Sequence, residues 1–173
     1  MILKHRIYKD TYRFYKKNLS NFKTVLKDTN NRLISADGYD YNCMSYAFGV
    51  YDEWLTLNSF TYSYNWDEET DNIDYDCLDK VFFDCCQELV ERFKARRLET
   101  AYDEIGKNER MIAFRIGGDD FHFARQNSDG TWTHKPGSNY IREMNKYELF
   151  GDSWSEHRQF PYISDIAFFA IAA

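Results

Sequence analysis

The stretch Asp120–Gly137, Asp-Phe-His-Phe-Ala-Arg-Gln-Asn-Ser-Asp-Gly-Thr-Trp-Thr-His-Lys-Pro-Gly, constrains the fold more than any other part of the chain. Two runs of alternating aromatic and polar residues flank Asn127-Ser-Asp-Gly130, and Asp-Gly between such runs is a strong hairpin signal. Pro136 ends the second arm, because proline has no amide to give to a strand ladder. Each arm holds one histidine, His122 and His134, six residues before and six residues after Ser128. Pairing centred on Ser128 predicts that they stand opposite one another. Two imidazoles in reach on a rigid platform can act as a base and the group that orients it. The group for them to act on is Cys43.

Tyr39-Asp-Tyr-Asn-Cys-Met-Ser-Tyr-Ala-Phe48 begins a predicted helix, with Asp40 or Asn42 as its cap. Met44, Ala47, Phe48 and Tyr51 form an apolar stripe at helical spacing that runs on to about Trp54. Cys43 falls in the first turn. Free amides and the positive end of the helix dipole there favour a thiolate, lowering a cysteine pKa from ~8.5 toward neutrality. The same amides suit an oxyanion.

The remaining periodicities give an α+β chain: N-terminal helices packed on a mostly antiparallel sheet formed by the C-terminal half. Helices are expected near Tyr8–Lys17 and Leu19–Lys27, and a turn at Asp28–Asn31. Residues 55–72 read as an acidic, aromatic loop; it lacks the glycine and closing glutamate of a calcium loop. Tyr75–Tyr102 reads as the longest helix, with Lys94-Ala-Arg-Arg97 at its negative pole. Arg110–Ile116 reads as a buried strand, residues 138–154 as irregular, and Pro161–Ile171 as a strand inside the sheet. With 173 residues, one domain is expected: residues 1–35 as a helical N-terminal extension and 37–173 as the core.

A net charge of −6 argues against a broad nucleic-acid-binding face, although the first 27 residues and Arg92–Arg97 are basic. No run approaches the ~20 apolar residues of a membrane span. Met1-Ile-Leu-Lys-His-Arg is not followed by the apolar core of a signal peptide. The four cysteines are therefore expected as reduced thiols in a cytoplasm, with Cys77, Cys85 and Cys86 as small buried hydrophobes. Cys43, His122 and His134 are zinc-ligating residue types, but a fourth ligand is not evident, so no metal or other cofactor is expected.

Helix-borne cysteine, then strand-borne histidine, then a polar residue on the next strand: this order resembles the papain-like cysteine hydrolases, and among them the NlpC/P60 group. In that group a base histidine opens one strand, and a second histidine about twelve residues later, past a glycine turn, orients it; here His122 and His134 are twelve positions apart. The resemblance covers residues 37–60 and 108–137, with the terminal strand as a sheet member. The group usually has Asp-Cys-Ser-Gly where this chain has Asn42-Cys-Met-Ser45.

The resemblance implies a papain-like core with Cys43 as nucleophile, His122 as general base and acid, and His134 as orienter. Tyr41, Asn42 and Trp132 are expected as substrate contacts. A peptide or protein amide would pass through a thioester to water or an amine. The competing expectation is a non-catalytic interaction protein on the same scaffold, of the kind a phage encodes to inhibit a host protein.

Overall fold

The computed structural model describes residues 41–60, 74–136, 141–154 and 161–173, and four short strands outside them. The expected helix at Tyr8–Lys17 and the turn at Asp28–Asn31 lie outside the described residues. Val25–Lys27 (β1) and Leu33–Ser35 (β2) form an antiparallel pair, so the end of the helix expected over Leu19–Lys27 is a strand instead. Val25-Leu-Lys faces Leu33-Ile-Ser in that pairing, and branched residues on both strands suit a ladder.

Cys43–Phe48 is the first described helix, α1, and it is shorter than the apolar stripe suggests. Gly49 stops it in the left-handed region (φ 74°), donating its amide to Tyr46 and Ser45 carbonyls. Glycine adopts that conformation without a Cβ clash, so the stop is local in origin. Trp66–Asp67 (β3) and Asn72–Ile73 (β4) make a second two-stranded pair within the acidic stretch.

Helix α2 spans Tyr75–Glu91, capped by Asp74, whose carboxylate accepts from the Cys77 amide at 3.1 Å. Leu78, Val81, Cys85 and Leu89 bury one face of it, and Phe82 stacks on Phe114. The helix ends eleven residues before Tyr102. Lys94 takes a positive φ of 57° and the Ala95 amide reaches back to the Leu89 carbonyl. Arg96–Leu98 then runs as strand β5, so Arg96 and Arg97 serve a sheet rather than a helix terminus.

Glu109–Ile116 (β6), Phe121–Gln126 (β7), Trp132–His134 (β8) and Arg142–Met144 (β9) follow. A short helix, α3, Lys146–Leu149, carries a reciprocal capping box between Asn145 and Glu148. Ala167–Ala172 (β10) closes the chain. These strands make one antiparallel six-stranded sheet, ordered β5-β10-β6-β7-β8-β9. The terminal strand does lie inside it, between β5 and β6. Residues 142–149, expected as irregular, hold β9 and α3; the capping box and one strand pairing order them.

Side chains alternate across the sheet with period two, which gives the molecule two cores. On one face, Ile112, Phe114, Ile116, Phe123, Phe169 and Ile171 meet α1 and α2 through Cys43, Met44, Ala47, Leu78, Cys85 and Leu89. On the other, Met111, Ala113, Ala124, Trp132, Phe168 and Ala170 pack with Met144, Leu149, Trp154 and Tyr162. The buried Arg115 guanidinium holds the second layer in place: it donates to the carbonyls of Ser164 (2.8 Å), Gly151 (2.7 Å) and Asp152 (2.5 Å). Among the described residues, no helix is long and apolar enough to cross a membrane.

Candidate functional site

The hairpin joins its histidines diagonally, not face to face. In the β7–β8 ladder His134 is opposite Ala124, and Gln126 is opposite Trp132, so the pairing is centred on Asp129 instead of Ser128. The reason lies in the turn. Asn127 accepts from the Gly130 amide and donates its own to the Thr131 carbonyl, with Gly130 at φ 80°. His122 stands two residues beyond Ala124, and a two-residue offset keeps it on the same face as His134. There His122 Nε2 lies 2.8 Å from His134 Nδ1, with the rings nearly perpendicular.

Both imidazoles are almost fully buried. The His122 ring stacks on Tyr162 (5.1 Å between centroids, 23° between planes) and meets Trp154 edge-on. Tyr162 in turn donates its hydroxyl to Asp120 at 3.1 Å. Gly117 lets this wall come close: a Cβ there would stand 2.6 Å from the Pro161 carbonyl oxygen, where the chain bridges to Tyr162. His134 sits directly across the ladder from Arg142, whose Nε–H donates to His134 Nε2 at 3.3 Å. Burial first, and the Arg142 charge second, push the His134 pKa down to about 3. His134 is neutral at any ordinary pH.

Cys43 reaches this region from the other core. Asn42 anchors the start of α1: its Oδ1 accepts from the Ser45 amide (2.9 Å) and hydroxyl (2.8 Å), and its Nδ2 donates to the Leu55 carbonyl (2.7 Å). The Leu55 amide donates to the Ser45 hydroxyl, tying the same turn to the following loop. The Cys43 sulfur rests on the β7 backbone, where its thiol donates to the Phe121 carbonyl oxygen at 3.8 Å and the Phe123 amide is close enough to favour the thiolate slightly. Those two backbone groups flank His122 in the chain.

The expected thiolate is not what this position produces. Burial, with the Asp120 charge adding to it, pushes the Cys43 thiol up to about 12, against smaller opposing effects of the Phe123 amide and Lys135. A helix of six residues with a 5% exposed cysteine cannot offset that desolvation. Lys135 is itself buried, its ammonium 4.8 Å from the Tyr41 ring centre; desolvation lowers its pKa to about 8 while Cys43 opposes the shift.

The residues expected to contact substrate are occupied structurally. Trp132 is 5% exposed in the second core and packs against Phe168. Asn42 spends its amide on the helix cap and Leu55. Tyr41 is 1% exposed beneath Lys135 and against Tyr51. Four nearby residues carried no sequence expectation: Arg142, Trp154 and Tyr162 around the histidine pair, and Lys135 beside Tyr41 and Cys43 on the opposite face. Lys135 follows His134 directly, whereas Arg142 lies in the stretch read as irregular and becomes visible only through the β8–β9 pairing. Among the described residues, no group of three or more His, Cys, Asp or Glu is arranged to hold a metal ion.

Chemically, the arrangement offers one thiol, a pair of hydrogen-bonded imidazoles and a buried ammonium. Residues 32–158 match a protein family described as "Domain of unknown function (DUF7689)". No curated protein and no solved structure matches the chain.

Proposed function

The chain belongs to the DUF7689 family, and we propose that it is a papain-like cysteine hydrolase or acyltransferase acting on a peptide-like amide, with Cys43 as nucleophile and His122 as base. What supports this reading is that the Cys43 thiol donates to the Phe121 carbonyl at 3.8 Å, one residue before His122, whose Nε2 meets His134 Nδ1, although the His122 ring itself lies on the opposite face of the sheet. The NlpC/P60 resemblance assigns nucleophile, base and orienter to a helix-borne cysteine and histidines on two successive strands, the residue types found at Cys43, His122 and His134.

In this reading the Cys43 proton passes to His122 only after the start of β7 turns that ring from the Tyr162 and Trp154 face toward α1. Sulfur adds to the carbonyl carbon, and His122 returns the proton to the nitrogen of the departing amine as the C–N bond breaks. A thioester remains, and His122 then deprotonates the water or amine that cleaves it. Proton transfer accompanies attack instead of preceding it, since burial keeps the resting thiol neutral. The nearby Lys135 ammonium favours negative charge on sulfur. General acid–base participation of this kind is worth ~10²–10⁴ in rate.

The test is acyl-enzyme trapping. The protein is incubated with 4-nitrophenyl esters of N-acyl amino acids, quenched in acid and weighed intact. One acyl group on Cys43 is expected, absent from Cys43→Ala and strongly reduced in His122→Ala. Equal acylation of His122→Ala and wild type would remove His122 as base. The thiol's burial favours a second reading, a binding protein on the same scaffold: no acylation of the wild type, with partner binding retained by Cys43→Ala, is its outcome.

A further inference from the structure

We propose that Lys135 is a catalytic base for Cys43: its neutral amine takes the thiol proton from the same side of the sheet, before any turn of His122. The inference rests on the nucleophile role of Cys43 in the proposed function and not on His122. Strand alternation places the lysine. Along β8, Trp132 packs into the second core, the Thr133 hydroxyl meets the Tyr46 hydroxyl of α1 at 2.8 Å, and His134 turns back to His122. Lys135 comes next, on the α1 side, where its Nζ lies 4.8 Å from the ring centre of Tyr41, two residues before Cys43. The β7–β8 register agrees: Ala124 is opposite His134, so one further step sets position 135 opposite Phe123. Phe123 is the residue whose amide lies beside the Cys43 sulfur. Thiol and amine thus approach one β7 position from α1 and from β8, and both are buried.

The chemistry fits the burial. A lysine taken out of water gives up its proton more readily, and desolvation brings Lys135 down to about 8. The thiol, at about 12, keeps its own proton at rest, so transfer accompanies attack. As sulfur bonds to the substrate carbonyl carbon, the thiol proton moves to the Nζ lone pair and the amine becomes an ammonium. The C–N bond then breaks, and the ammonium returns that proton to the departing nitrogen, leaving a thioester and a neutral amine. A neutral amine has two hydrogens, so it can hold other partners through them and still offer its lone pair to the thiol. Among the described residues, the other charged or titratable groups around the pair are Tyr41, Tyr46, Tyr51, Asp120 and Arg125.

The test times Cys43 acylation by the 4-nitrophenyl esters from pH 6 to 9, by intact mass. In the wild type the rate is expected to rise about tenfold per pH unit up to about pH 8, as the amine loses its proton, and to level above it. Alkylation by iodoacetamide reads the free thiolate and should show no such levelling. Tyr41→Phe should keep the inflection; its loss there would assign it to the tyrosine and overturn the proposal. Lys135→Met should lose the inflection and acylate ~10²-fold more slowly at pH 8. Lys135→Arg, which keeps the positive charge but cannot accept a proton, should be as slow; a wild-type rate in that variant overturns the base role. A wild-type profile that climbs through pH 9 without levelling also overturns it, and that measurement needs no variant to fold. Wild-type kinetics in Lys135→Met remove the lysine and leave Cys43 as nucleophile, whereas no acylation of the wild type at any pH removes both.

Discussion

His122 and His134 share a 2.8 Å nitrogen–nitrogen contact although neither is the other's partner in the strand ladder. The contact is possible because a two-residue offset in an antiparallel pair keeps two side chains on one face. It buries both rings, and a buried imidazole that must stay neutral makes stability depend on pH.

His134 sets the acid side of that dependence. Its folded pKa is lowered to about 3 from an ordinary value of 6.5. Between these values the unfolded chain takes up a proton that the folded protein refuses, so stability falls as pH falls through this window. The slope for one such group is ~1.4 kcal/mol per pH unit. Urea melts at pH 7, 6, 5 and 4 should show wild-type stability falling, with a clearly shallower slope in His134→Phe. An unchanged slope in that variant would assign the acid sensitivity elsewhere.

Cys43 sets the alkaline side. Its thiol is raised to about 12 from 9.0, chiefly by burial. The folded state prefers the protonated thiol, so this contribution is complete below pH 9 and declines as pH rises from 9 toward 12. Cys85 and Cys86 are raised too, both through burial, and act in the same direction. At pH 7 to 10, alkylation of native Cys43 is expected to rise about tenfold per pH unit with no plateau. A plateau beginning near pH 7 would instead reveal a low-pKa thiolate.

Gly117 is expected to reject any side chain. The Cβ of Gly117→Ala would lie 2.6 Å from the Pro161 carbonyl oxygen, which is backbone and cannot rotate away. Overpacking of this kind costs about 1–3 kcal/mol. Because Tyr162 follows Pro161 and stacks on His122, the shift should also lower Cys43 acylation. Denaturant melts and the trapping assay check the two effects together.

Asn42→Ala should separate helix capping from chemistry. It removes the acceptor for the Ser45 amide and the donor to the Leu55 carbonyl. The loss of an N-cap costs roughly 0.5–2 kcal/mol, visible as a lower urea midpoint. If Asn42 only anchors α1, Asn42→Asp, which retains the accepting oxygen, should recover most of that stability.

Much of the frame was legible in residue patterns. Asp129-Gly130 announces the hairpin because glycine accepts the positive φ its turn needs, and Arg110–Ile116 reads as buried because it is apolar on both faces. Asn42 before an apolar stripe marks the start of α1. Helix ends were less legible. Gly49 stops α1 early, and α2 ends at Glu91 although no glycine follows it, because Lys94 takes the left-handed conformation and β10 recruits Arg96–Leu98. Pairing with a strand some seventy residues away leaves no local trace.

The candidate site divides along the same line. By itself the sequence determined the hairpin, the α+β arrangement of its sheet and the common face of the two histidines, since these follow from turn chemistry and a period of two. Tertiary structure alone decided that Arg142 meets His134, that Tyr162 stacks on His122, and that Cys43 is buried enough to stay a thiol. Tautomer and pKa are set by whatever donor, charge or lack of water lies within a few ångströms. Those neighbours are brought together by strand order and layer packing, which no local window of the chain contains.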